Sequence, residues 1–346
     1  MIYRVSQKRN AADVGPEDFL EECKRCEKDY SQTWRPCEFH QVQPEHGPGL
    51  GVSNDALQSI GAFKIRGATV AVNEAVRRSK GAFSTVCAAS SGSFGMAIAT
   101  AARACGLKAR IFMPSTAPQI KVTKLQKLGA VVDTAQPTYE AAKGLAKQWA
   151  KDSGDEAIFL DGVSWDVFKG NGTLALEMAR SVELSRKRFA LVVPLGIGSL
   201  AVPMTLVLAR LGLDFDTFTV EPLTHCKFLL DGTDCHCACN EQTIADGAAV
   251  TEVPSFSLDL LRQVIYGAIG LSESEIARGM AFLWESLNIM AEGAAALGAG
   301  AYLAHPELFA DYDEVWTVVT GRNIAEERFR CLVASANLGP LGHPSP

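Results

Sequence analysis

AFSTVCAASSGSFGMAIATAARACG, residues 82–106, runs from a short β-rich segment through a Ser/Gly turn into a helical one. The same change recurs downstream. KARIFMP (108–114) precedes PQIKVTKLQKLG (118–129), AVVDTA (130–135) precedes TYEAAKGLAKQWAKD (138–152), and AIFLDG (157–162) precedes WDVFKGNGTLALEMARS (165–181). RFALVVPLG (188–196) then precedes SLAVPMTLVLARLG (199–212), with FTVEP (218–222) after it and EVWTVVTGRN (314–323) near the end. Strands separated by helices predict parallel βαβ units and an α/β fold. The Pro/Gly-rich segment RPCEFHQVQPEHGPGLGVSN (35–54) has little periodicity and reads as loop and edge structure.

The chain has 346 residues, 47% of them apolar, enough for about two domains with their own cores. Thirty-three Lys plus Arg against thirty-nine Asp plus Glu leave a net charge of −6, which argues against a nucleic-acid partner. There is neither an apolar run of membrane-spanning length nor an apolar core in the first fifteen residues, so a cytoplasmic protein without a membrane partner is expected. Ten cysteines in a chain of this size predict mostly free thiols.

Open parallel sheets place ligands beyond the carboxyl ends of their strands, which directs attention to Ser90–Gly95, Gly162–Gly172, Leu195–Ser199 and Thr320–Asn323. SSGSFG (90–95) opens a helix, so its backbone donors and the hydroxyls of Ser90, Ser91 and Ser93 suit a carboxylate; an ordinary helix cap has the same composition. PLGIGSL (194–200) lets a phosphate approach closely at Gly196 and Gly198, with a hydroxyl from Ser199. It lacks both the Lys-Ser/Thr ending of a P-loop and the GxGxxG spacing of a dinucleotide fold. In SIGAFKIRGA (59–68), Lys64 is an apolar-flanked amine suited to a Schiff base with an aldehyde. One lysine, one carboxylate-suited loop and one phosphate-suited loop describe a site for pyridoxal phosphate and an amino acid.

AFKIRGA resembles the SFKIRGA cofactor-lysine motif of fold-type II pyridoxal-phosphate (PLP) enzymes, in particular the serine/threonine dehydratase and serine racemase group. The likeness continues in order along most of the chain. SSGSFGMAIATAAR resembles the SSGNHG-type substrate loop, DGVSWDVFKGNGTLALEM the GQGT segment, and VVPLGIGSL the tetraglycine phosphate loop. TIADGAAV (243–250), AEGAAALGAGA (291–301) and VVTGRN (318–323) resemble TIADG, the EGAGA-type helix start and the SGGN turn.

The resemblance implies a tryptophan synthase β-like architecture of two parallel-type α/β lobes with the cofactor between them. The large domain would comprise residues 1–81 and 163–346, with 82–162 an inserted small domain. It implies that Lys64 carries PLP and removes the Cα proton, and that Gly196, Ile197, Gly198 and Ser199 hold the phosphate. Ser93 would lie at the cofactor's phenolic oxygen and Thr320 at its pyridine nitrogen, where a neutral hydroxyl suits β-elimination better than transamination. Ser90, Ser91, Gly92 and Phe94 would contact the substrate.

The implied activity is that of an ammonia-lyase or dehydratase, converting a serine- or threonine-like amino acid into a 2-oxo acid and ammonia. The alternatives are β-replacement, racemisation, or a PLP-binding protein without turnover. Ser91 falls where serine racemase has its second-face base, so it counts as a candidate catalytic residue. Ser93 replaces the family's Asn and Phe94 its His, Ala62 replaces the Ser of SFK, and two of four loop glycines are lost; these departures predict a bulkier or modified β-substituted substrate. A homodimer is implied, and feedback through an appended regulatory domain is not expected.

The run His225, Cys226, Cys235, His236, Cys237 and Cys239 follows Glu221, near which the relatives place a divalent cation. Its spacing matches no common zinc module, so free thiols are expected and no metal ligand is assigned. Cys23 and Cys26 read as one helix face, and Glu177 and Asp246 as structural carboxylates; Glu292, opening a helix, is either an ordinary first-turn carboxylate or one that approaches the cofactor ring edge, and none of the three is assigned a catalytic role.

Overall fold

The computed structural model describes residues 2–4, 10–90, 92–181, 184, 187–225, 242–250 and 253–336. Its strands in chain order are β1 (Ile2–Arg4), β2 (Glu38–Val42), β3 (Gly49–Asn54), β4 (Thr85–Ala89), β5 (Lys108–Pro114), β6 (Val131–Gln136), β7 (Ala157–Phe159), β8 (Phe189–Pro194), β9 (Phe215–Pro222), β10 (Gly267–Leu271) and β11 (Glu314–Val319). They form two sheets, and the chain divides into two compact units. The larger unit holds Met1–Lys24, Pro36–Leu57 and Gly172–Pro346; the smaller holds Arg25–Arg35 and Gln58–Asn171.

In the larger unit the strand order is β1-β10-β9-β8-β11-β3-β2. The five inner strands are parallel and only the two edge strands run antiparallel. Inner parallel strands are covered on both faces and therefore read as continuous apolar runs, as FALVVP and EVWTVV do. Register sets Pro194 beside Val220, and Val319 beside Asn54, so the loops after β8 and β11 leave the same edge of the sheet.

The 35–54 segment is not simply loop and edge structure. GLGVSN is β3, an interior strand buried along its whole length and parallel to β11. Its glycine content has a packing cause: a Cβ on Gly51 would overlap the indole of Trp316, a fully buried side chain that hydrogen bonds Glu314 Oε2 through Nε1 at 2.9 Å. A strand that leaves room for an indole loses the branched side chains by which strands are read.

The smaller unit is built on an all-parallel sheet in the order β6-β5-β4-β7. Its members exceed the expected 82–162 insertion, because residues 25–35, 58–81 and 163–171 also belong to it. One cause is ionic. Glu74, buried on the helix Ile65–Ser79, receives Arg25 Nη1 at 3.0 Å, Arg77 Nη2 at 2.5 Å and the Tyr30 hydroxyl at 3.0 Å. These contacts bind the end of the helix Phe19–Tyr30 to the helix carrying Lys64 at its head.

Burial alone would raise the Glu74 carboxyl, but hydrogen bonds from Arg25, Arg77 and Tyr30 outweigh it and hold the pKa below the ordinary 4.5. The cluster therefore stabilises the fold fully above that ordinary value and loses its contribution as pH falls through the depressed one. Glu74→Gln should cost about 3 kcal/mol at pH 7, and the deficit should shrink on acidification, as urea unfolding at both pH values will report.

Candidate active site

Lys64 stands at the head of the helix Ile65–Ser79, and its carbonyl accepts the Ala68 N–H at 3.1 Å. The turn that follows is fixed on every side. Arg66 is fully buried, its guanidinium 5.4 Å from the Trp34 ring centroid and within 3.4 Å of the Arg35 carbonyl. The Gly67 N–H donates to Asn171 Oδ1 at 3.0 Å. A Cβ on Gly67 would sit 2.7 Å from that oxygen, and a Cβ on Gly170 would overlap the Arg66 carbonyl oxygen. The helix Trp165–Ser181 thus meets the lysine's helix backbone to backbone. Asn171 has no role readable from its sequence neighbours; its side-chain oxygen is a fastening for the lysine turn.

In the same unit, the ladder between β4 and β5 continues one step past β4, where Ser90 N–H donates to Phe112 O at 3.0 Å. Ser90 is buried, and its hydroxyl oxygen accepts the N–H groups of Gly92 at 3.1 Å and Gly95 at 2.8 Å. It shapes the loop from inside. Gly92, Ser93 and Phe94 carry the chain into the helix Ser93–Ala104, and among the described residues the Phe94 N–H meets no acceptor. Ser91 lies outside the described residues. Lys121, on the helix Gln119–Lys127, runs beside the loop: a Cβ on Gly92 would lie 3.5 Å from both its Cδ and its Nζ.

In the larger unit, residues 195–199 join β8 to the helix Ala201–Arg210. Among the described residues the N–H groups of Gly196, Ile197 and Gly198 meet no acceptor, so successive backbone donors precede a helix N-terminus. Gly198 has φ +81°, the left-handed region that favours glycine, and Ser199 is buried. Ser257, on the helix Ser255–Val264, is fully buried with its hydroxyl unpartnered, and a Cβ on Gly198 would lie 3.3 Å from that oxygen.

Thr320 is buried immediately after β11. The turn after it is held by Glu292, whose Oε2 accepts the Asn323 N–H at 2.8 Å and whose own N–H donates to Gly321 O at 3.1 Å. A Cβ on Gly247 of TIADG would lie 3.4 Å from Glu292 Oε1, so this carboxylate also reaches the 243–247 loop. Glu177 accepts the Cys37 N–H at 2.8 Å, and Asp246 is exposed.

Each unit thus assembles half of the residues predicted from sequence: Lys64 and the 90–95 loop in the smaller, the 195–199 loop and Thr320 in the larger. Ser257 and Lys121 carried no sequence signal, since each acquires its place by tertiary contact with a loop far along the chain. Cys23 and Cys26 are buried free thiols. His225 is buried, while Cys226, Cys235, His236, Cys237 and Cys239 lie outside the described residues.

The family model of pyridoxal-phosphate dependent enzymes matches residues 33–321. The chain belongs to this family. As a PLP enzyme it is 31% identical to the L-threo-3-hydroxyaspartate ammonia-lyase of Saccharomyces cerevisiae over 85% of this chain and 89% of that one. It is 29% identical to a serine racemase of Dictyostelium discoideum over 90% and 96% of the two chains. The processed form of threonine deaminase isoform 2 from Solanum lycopersicum superposes with a TM-score of 0.80 at 21% identity, over 94% of this chain and 90% of that one, and shares the fold.

The residues fit PLP. Three N–H donors without acceptors and the orphaned Ser257 hydroxyl suit a phosphate, and Lys64 supplies the primary amine. Among the described residues no helix is long and apolar enough to cross a membrane.

Proposed function

We infer that this PLP enzyme is an ammonia-lyase that eliminates the β-substituent of an amino acid, releasing a 2-oxo acid and ammonia. The observation carrying the reading is the rigid setting of Lys64, whose turn is fastened by Asn171 and wedged between Gly67 and Gly170. An amine that both attaches a cofactor and moves a proton needs that placement. The relatives named hydroxyaspartate ammonia-lyase and threonine ammonia-lyase support elimination over the racemisation of the serine racemases.

When bound, PLP supplies an electron sink that acidifies the substrate Cα–H. Lys64 is assigned the covalent hold on the cofactor and the removal of that proton. Gly196, Ile197, Gly198 and Ser199 present donors to the phosphate, with the Ser257 hydroxyl beside them. Thr320 would offer a neutral hydroxyl to the ring nitrogen of the bound cofactor, and Ser93 would be the residue nearest its phenolic oxygen. Gly92 and Phe94, with Ser91, receive the substrate, while Ser90 holds the loop in shape. Ser91 is also the candidate for delivering a proton to the opposite face, the route to racemisation. The departures at Ser93 and Phe94 favour a substrate larger than serine.

A homodimer, by family likeness, and a cytoplasmic location complete the reading. Incubating the holoprotein with a panel of β-hydroxy amino acids and measuring 2-oxo acid and ammonia tests it. Equimolar release of both is expected; a mirror-image amino acid as the sole product would overturn it.

The phosphate assignment has its own test. Gly198→Ala places a methyl group at φ +81°, 3.1 Å from Ser257 Cβ. The loop must then shift, and PLP affinity measured by equilibrium dialysis should fall about 30-fold. Unchanged affinity would place the phosphate elsewhere.

A further inference from the structure

We propose that Gln58 is a positioning residue for Lys64, acting through a strap, Trp34–Arg35, that its carboxamide fastens across the lysine segment. The proposal rests on the reading of Lys64 as the cofactor-bearing amine and goes beyond it, to what holds the chain on the leading side of that amine.

The chain turns twice between residues 58 and 66. The Gly61 N–H donates to the Gln58 carbonyl at 2.8 Å, with Gly61 at φ +70°, and the Arg66 N–H donates to the Phe63 carbonyl at 3.0 Å. Lys64 lies inside the second turn. Asn171 and Gly170 secure the residues after it. The residues before it are held by another part of the smaller unit, the segment Arg25–Arg35.

Gln58 makes that connection. Its side chain is buried, and its carboxamide meets both backbone groups of Arg35: Oε1 accepts the Arg35 N–H at 2.9 Å, and Nε2 donates to the Arg35 carbonyl at 2.8 Å. Arg35 precedes Pro36, a context that favours extended backbone. In an extended residue the N–H and C=O point to the same side, so one planar amide can satisfy both, as a neighbouring strand would. The same Arg35 carbonyl receives Arg66 Nη2 at 3.4 Å, and the Arg66 guanidinium stands 5.4 Å from the Trp34 ring centroid.

Residues 34 and 35 therefore grip the segment at both ends, at Gln58 ahead of Lys64 and at Arg66 behind it. Gln58 and Arg66 are both buried, so water competes poorly for either grip. Only a carboxamide serves at position 58: a carboxylate has no donor for the Arg35 carbonyl, and an apolar side chain has neither group. With the pair opened, Lys64 keeps its amine and its place at the helix head but loses a fixed direction. Such a loss falls on the chemical step more than on substrate binding.

The test uses holoenzyme carrying Gln58→Met, which keeps the length of the side chain and removes both hydrogen bonds. Ammonia release is followed with L-serine, L-threonine and L-threo-3-hydroxyaspartate at a temperature where urea unfolding shows both proteins fully folded. On whichever is turned over, kcat should fall about 30-fold with KM within threefold of the unmodified enzyme. Visible circular dichroism gives a readout independent of turnover, because the achiral cofactor acquires its signal from a fixed asymmetric seat. The signal per bound PLP should fall by at least half. An unchanged kcat with an unchanged dichroic signal, or a change in KM alone, overturns the proposal.

Should Gln58→Met fail to fold, Trp34→Leu loosens the same strap from its Arg66 end. It should lower kcat about tenfold and weaken the dichroic signal, again at constant KM; no change in either overturns the proposal. Borohydride reduction and mass spectrometry of the unmodified protein separate the two levels of the argument. A cofactor adduct missing from Lys64 rejects the reading of that lysine, whereas an adduct in place with an indifferent Gln58→Met rejects only the role of Gln58.

Discussion

Lys64→Ala will remove the visible colour of the PLP-saturated protein and lower ammonia release roughly 10,000-fold. The size follows from one amine performing two tasks. It is the only group assigned to attach the cofactor covalently, and proton transfer by a positioned base alone contributes about 100-fold to 10,000-fold. Folding should survive, because the fastenings of that turn lie at Arg66, Gly67, Gly170 and Asn171 and not at the lysine side chain. The thermal midpoint of the apoprotein should therefore shift little, which separates lost chemistry from lost structure. Mass spectrometry after borohydride reduction supplies the companion measurement: the cofactor adduct should sit on the peptide containing Lys64 and vanish in the variant. Colour that persists in Lys64→Ala would move the attachment to another amine.

Gly170→Ala is expected to injure both stability and rate. The added methyl group would overlap the Arg66 carbonyl oxygen and approach Gly67 Cα to 2.7 Å. Both neighbours are backbone atoms, so relief comes only by separating two helices. Overpacking of this kind costs about 1–3 kcal/mol. The helix that must move carries Lys64 at its head, and a displacement of about 1 Å at a reacting group can cost on the order of 100-fold in rate. Urea unfolding and kcat at saturating PLP measure the two effects separately. Gly144→Ala is the matched control. Gly144 also lies inside a helix of the smaller unit, but a Cβ there meets nothing within 4 Å. Helix propensity should then make that substitution neutral or stabilising by about 0.5–1 kcal/mol.

These two glycines show what the sequence could and could not disclose. The alternation of strands and helices from residue 82 onward was readable because each element carries its own apolar pattern. Lys64, the 90–95 loop and the 195–199 loop stand out as candidates in the sequence because each sets a distinctive residue type, an amine, a serine cluster or a glycine pair, just ahead of a helix. β3 was not, because accommodating Trp316 left it glycine-rich and without strand formers. The bounds of the smaller unit were hidden for a different reason: Arg25 and Glu74 are forty-nine positions apart, and no local pattern records that they meet. Lys121 and Ser257 belong to the same class, since a lysine on an amphipathic helix and a serine near a helix start look ordinary until the loops beside them are seen.

The stacking of Trp34 on Arg66 has a practical corollary. An indole lies under the guanidinium two residues past Lys64, in the smaller unit, while Trp316 is enclosed in the larger. Trp34 is thus a native emitter within the same unit as Lys64, and energy transfer from it to a chromophore attached at that lysine would give an optical read-out of cofactor loading without any label.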